Sequence, residues 1–203
     1  MHFPTHLLDP QKLSITAKSK TQLDPSHAGP EYANQLGDPH KWELSLTTVP
    51  LVYAKTMELF AFANTLGGRF KYFRLPNPFP AIGKGLGDDC RAKDGAYAMA
   101  TSISVIGATQ SLVDALMPGD FISFIGHEKA YMVTEPVTIN SLGHAIVRFS
   151  PSLRKAVGAG EKIHSCDGVS FNVALKTDLL KLDLVATKYR NSFVLQLSER
   201  LHD

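Results

Sequence analysis

PGDFISFIGHEKAYMVTEPVTINSLGHAIVRFSPSLRKA, residues 118–156, sets turns and strands in an order that few folds require. Pro118, Gly119 and Asp120 read as a turn, followed by an aromatic strand over 121–125 and a polar turn over 126–129. A second strand occupies 130–134, a loop ends at Gly143, a third strand runs over 145–149, and Pro-Ser-Leu-Arg closes the run at 151–154. Proline fixes φ and removes a donor, while glycine reaches backbone angles that other residues avoid, so both punctuate strands. The stretch is scaffold, with no catalytic constellation inside it.

Outward from this stretch the pattern continues. Tyr97, Met99, Ile103 and Val105 alternate as one face of an earlier strand, and a short apolar helical turn over 112–117 separates that strand from the quoted run. Residues 162–165 supply a fifth strand after Gly158 and Gly160. Five short strands in about 75 residues suit a small, partly closed barrel of the OB type, with a plain meander sheet as the alternative.

Further out lies a different organisation. In 41–47, Trp42, Leu44 and Leu46 alternate with polar residues, the period of two of a half-buried strand, which places Trp42 in the core. Leu13, Ile15 and Ala17 form another candidate strand, and 32–36 a third, between the prolines Pro4, Pro10, Pro25, Pro30 and Pro39. After Pro50, residues 52–66 read as a helix stopped by Gly67 and Gly68. Its apolar residues exceed one narrow stripe, so Tyr53, Met57 and Phe60 belong either to an ordinary core helix or to a face packed on a neighbouring subunit. A basic, aromatic strand over 69–75 leads into a hinge-like segment rich in proline and glycine (Pro76, Pro78, Pro80, Gly83, Gly85, Gly87), where a domain junction falls.

From Val169 onward three strands are expected, marked by Phe171, Val173 and Leu175, by Leu180, Leu182 and Leu184, and by Phe193, Leu195 and Leu197, with a turn at 189–192. Strands on either side of the barrel would be marginal as separate sheets. They predict one β-sandwich core domain with one packed helix, spanning 1–85 and 167–203 and interrupted by an inserted five-stranded OB-like barrel over 86–166. An insertion needs its ends close together, so the surroundings of Cys90 and Cys166 should be neighbours.

At 203 residues the chain can bury roughly 70% of its unfolded surface, enough for a sizeable core. The 21 basic and 19 acidic residues, scattered along it, give +2 and no basic face for nucleic acid. No apolar run approaches the roughly 20 residues of a spanning helix, and residues 1–8 lack signal-peptide character, so neither membrane insertion nor export is expected and synthesis is in a cytoplasm. The two cysteines, Cys90 and Cys166, do not make a disulfide framework or a zinc motif and read as reduced thiols.

Candidate chemistry is sparse. The Gly83-Lys84-Gly85-Leu86-Gly87 run lacks the Lys-Ser/Thr of a phosphate loop and is followed by Asp88 and Asp89, which repel phosphate and read as solvated charge. The eight histidines are dispersed; only His2 and His6 share helical spacing. Ser152 with His144 or His164 lacks a nucleophile elbow, and Cys166 has only Lys162 and His164 near it in sequence, so it reads as structural. No catalytic residue, metal ligand or cofactor site is assigned, and the reading is of a non-enzyme. Tyr97, Phe121, Phe124, Tyr131 and Phe149 are the aromatics that could serve a saccharide- or receptor-binding face, most of them expected in the core.

The order of Trp42 to Leu44, apolar helix, Gly67-Gly68-Arg69, aromatic strand and proline-rich exit resembles the distal tail proteins of siphophages and related prophages. So do Pro-Gly-Asp-Phe-Ile (118–122), Lys-Ala-Tyr-Met-Val (129–133), Pro-Ser-Leu-Arg (151–154) and the ending over 193–201, which is similar to the subgroup with an OB-like inserted domain. The similarity runs from about residue 13 to 201, poorest over 76–95, where 83–89 looks like a local extension. The resemblance implies a structural virion protein of the tail-tip baseplate: a hexameric ring joining the tail tube protein to hub and fibre proteins. It also implies a peripheral barrel that contacts fibres or host-surface saccharide.

Overall fold

A computed structural model describes residues 3, 4, 6, 10–19, 21–24, 32–35, 40–179, 181, 182 and 190–201. The protein is mainly β, with one α-helix among the described residues. A five-stranded antiparallel sheet has the order β1 (Pro10–Lys18), β4 (Lys41–Thr48), β15 (Val194–Glu199), β13 (Ser170–Leu175), β6 (Tyr72–Pro76). It is assembled from chain on both sides of residues 77–169. Two-stranded pairings join β2 (Thr21–Asp24) to β3 (Tyr32–Gln35), and β5 (Leu51–Val52) to β14 (Arg190–Asn191). The third strand of the expected closing set rests on Leu180 and Leu184, which lie outside the described residues, as do Leu36, Tyr189 and several of the early prolines; Leu182 packs against the core.

Strand β4 shows why the alternation predicts burial: Trp42, Leu44 and Leu46 are buried, and the residues between them face outward. They share one core with the helix α1 (Tyr53–Thr65), which buries Thr56, Leu59 and Ala63. No side chain caps its first turn, but Thr56 Oγ1 donates within hydrogen-bond reach of the Leu51 and Val52 carbonyls. At its end Gly67 and Gly68 take φ of 61° and 66°, the left-handed region that stops a helix. Phe3, Leu66, Phe73, Leu75, Phe171, Val173, Phe193 and Leu197 complete this core.

The second sheet has the order β12 (Ile163–Ser165), β9 (Phe121–Phe124), β10 (Ala130–Val133), β11 (Ala145–Ser150), β8 (Ser102–Ile106), β7 (Arg91–Ala92). The five expected strands are present, and the two-residue β7 adds a sixth. Its ends meet: Ile163 N donates to Cys90 O at 3.0 Å and Ala92 N to Glu161 O at 2.9 Å, bending the sheet into a nearly closed barrel. The barrel has its own core, built on Leu86, Val105, Ile122, Phe124, Tyr131, Phe149 and Leu153. Cys90 and Cys166 both sit in that core as free thiols, and burial pushes each up to about 11.

Three local expectations need correction. Tyr97 and Met99 precede β8 rather than belonging to it; Met99 has φ of 71°, and the two side chains are 88% and 62% exposed. Residues 112–117 form no helical turn: Ser111 and Asp114 have positive φ, and Leu116 bridges to Val137 instead. The hinge-like segment is not a hinge over 82–87. Gly85 N donates to Ala115 O at 2.8 Å, Leu86 N to Ser165 Oγ at 3.0 Å, and Leu86 is fully buried.

Candidate functional site

The two sheets meet at a buried polar junction that the sequence does not announce. Lys129, in the turn before β10, is 1% exposed. Its ammonium donates to Glu199 Oε2 at 2.8 Å, to the His40 carbonyl at 3.0 Å, and to His40 Nδ1 at 3.3 Å. An ammonium has three donors and no acceptor, so His40 Nδ1 is the acceptor here and all three protons are engaged. Glu199 Oε2 also accepts the Trp42 backbone N–H at 3.1 Å, while the Trp42 indole N–H reaches across to the Ala130 carbonyl at 2.8 Å. Burial pushes the Glu199 carboxyl above the usual carboxylate range, and the attraction of Lys129 only partly opposes it.

Aromatic rings seal the same junction. Phe121 of the barrel packs edge-on against Trp42 at 5.6 Å and Phe171 at 5.1 Å, and Phe79 lies 5.8 Å from Phe121. Phe121 and Ala130 therefore belong to the core of the first sheet although their strands belong to the second. A desolvated ion pair adds little net stability, but loss of one partner leaves a costly buried charge. The chain crosses here twice, and Asn77 ties the crossings together: its N–H donates to Val169 O at 2.9 Å and its amide to Cys166 O at 3.1 Å.

The Pro-Gly-Asp motif has a specific task. The buried Asp120 carboxylate accepts the backbone N–H groups of Ile82 at 2.8 Å, Gly83 at 2.9 Å and Met117 at 2.8 Å. A Cβ at Gly83 would stand 2.8 Å from the Asp120 oxygen and 2.7 Å from the Ala115 carbonyl, so only glycine allows this approach. The glycine run that resembles a phosphate loop is thus an anchored strap on the barrel.

Of the helix residues singled out, Phe60 is half-buried, with its ring 6.3 Å from Phe193 in the core; Met57 is half-buried; Tyr53 is 55% exposed. Val52 and Val194, at 45% and 53% exposed, add to the apolar surface at this end of the first sheet. Of the candidate platform aromatics, Phe121, Phe124, Tyr131 and Phe149 are buried, and Tyr97 alone is exposed. Asp88 and Asp89 are exposed, and no group of three metal-ligating side chains occurs among the described residues. Ser152 Oγ contacts Met99 Sδ at 3.8 Å, and His2 lies outside the described residues. The features that stand out among the described residues are the buried polar junction between the two sheets and the exposed apolar residues beside the first sheet. No protein-family model matches the chain, and no curated protein matches it.

Proposed function

We propose that the protein is a structural, non-enzymatic tail-tip component of a siphophage or prophage, a distal tail protein. Its copies join as a hexameric ring between the tail tube protein and the hub and fibre proteins. The observation that carries this reading is the order of motifs in the chain. Trp42 to Leu44, the helix with its Gly67-Gly68 stop, Pro-Gly-Asp-Phe and the closing strand resemble that family in sequence, and they fall on β4, α1, the Asp120 anchor and β15.

The geometry agrees with an assembly role. The five-stranded sheet ends in β1 on one side and β6 on the other, two different edges, and identical subunits that join unlike surfaces head to tail close into rings when the rotation permits. Tyr53, Val52 and Val194 leave apolar surface beside this sheet that a neighbouring copy can cover. The rival reading, saccharide recognition by the barrel, would rest on Tyr97 alone among the aromatics considered for it. The proposal is tested by gold-labelled antibody against the protein on whole particles: label at the tail tip is expected, and label on the head or on no particle would refute it.

A further inference from the structure

The junction between the two sheets contains an imidazole whose protonation the geometry opposes. His40, immediately before β4, is 7% exposed, and its ring stands edge-on to the Trp42 indole with centroids 4.4 Å apart. Its Nδ1 and its carbonyl oxygen both accept from the Lys129 ammonium, at 3.3 and 3.0 Å. Lys129 belongs to the barrel and His40 to the chain that opens β4, so these bonds cross from one sheet to the other.

An imidazole that accepts at Nδ1 carries no proton there. Protonation turns that acceptor into a donor aimed at a donor, and sets two cations against each other in a buried space where Glu199 supplies the carboxylate. The other charged groups of the surrounding elements are engaged elsewhere or exposed. In the turn before β10, His127 bonds the Tyr131 hydroxyl and Glu128 lies along the cleft beside Ser170. After β15, Arg200 donates to the Arg69 and Phe70 carbonyls, and in β4 Lys41 is exposed. Glu199 acts with the opposite sign: burial raises its carboxyl, so as pH falls it takes up a proton more readily in the closed junction than in an open one and favours closure. The contribution of His40 is separated from that of Glu199 when two chains that differ only at position 40 are compared at the same pH.

We propose that His40 is a pH-sensitive latch on this junction: neutral, it takes the Lys129 ammonium and holds the barrel to the first sheet; protonated, it releases Lys129 and the junction loosens. An imidazole in water takes up its proton near about pH 6.5, so the latch works in mildly acidic conditions. Because the proton binds on opening and is opposed in the closed form, each pH unit below about 6.5 shifts the His40 contribution about tenfold toward the open form. The latch does not depend on ring formation, because every group in it belongs to one chain.

The test is hydrogen exchange of the full chain, followed by nuclear magnetic resonance between about pH 8 and about pH 5. The reporter is the indole N–H of Trp42, the one tryptophan of the chain, which bonds the Ala130 carbonyl across the junction. His40→Asn retains a side-chain acceptor and cannot titrate. Parent and variant should protect the indole equally at about pH 8, and at about pH 5 the parent should exchange it about thirtyfold faster than the variant. The amides of Leu44 and Val105, one within each sheet, should stay protected in both. In the parent alone the His40 imidazole should titrate in step with the loss of protection at Trp42, a readout that holds even if the variant does not fold. Parent and variant that respond to pH alike, an imidazole that titrates while Trp42 stays protected, or Leu44 and Val105 losing protection together with Trp42 would overturn the proposal.

Discussion

Lys129 and Glu199 are each fully buried, and their pairing sets a sharp expectation. Removing one partner leaves the other charge stranded, so Lys129→Met should cost about 3–5 kcal/mol in urea unfolding, while Lys129→Met with Glu199→Leu should return to within about 1 kcal/mol of the parent. The single variant also carries a pH signature. Burial raises the Glu199 carboxyl above its ordinary 4.5, so its proton is held more tightly in the folded state than in the unfolded chain. Such a group favours folding below the unfolded value, and that contribution is lost as pH rises through the folded value. The Lys129→Met deficit should therefore be smallest near about pH 4 and widen toward about pH 7. A deficit that is flat with pH, or a double variant no better than the single, would mean that the pair does not form the buried contact.

The helix α1 separates two roles by which side of it a residue occupies. Phe60 packs toward Phe193, so Phe60→Asp buries a carboxylate and should destabilise the fold by about 3 kcal/mol or more. Tyr53 is mostly exposed, so Tyr53→Asp should keep stability within about 0.5 kcal/mol and reduce self-association instead. Thermal melts with native mass spectrometry separate the two; a Tyr53→Asp variant that assembles as the parent does would remove this face from the interface. Elements with a clear period were legible in the sequence: the alternation of β4, the Gly67-Gly68 stop of α1, and the strands β9 to β12 of the barrel. What escaped was set by contacts distant in sequence. Lys129 sits in a run of polar turn residues and gives no local sign of burial, because its partners His40 and Glu199 lie 89 and 70 positions away. The glycines at 83–87 looked like slack, since only the fold brings the Asp120 carboxylate and the Ser165 hydroxyl to their backbone N–H groups.

At the scale of the whole molecule, a mainly β core sheet carries a barrel set into the chain between β6 and β13, and a buried ion pair with a seam of aromatic rings holds the two together. Such a joint transmits position, which suits a component that must present a peripheral part at a fixed angle from an assembled body. In the proposed ring, the unlike sheet edges and the apolar surface around Tyr53 would be the surfaces that repeat the unit around an axis. The most direct test of this account is native mass spectrometry of the purified protein, alone and with the tail tube protein, combined with negative-stain imaging. The account predicts a hexamer with a six-fold ring in projection; a protein that remains monomeric at high concentration with its tube partner present would contradict it.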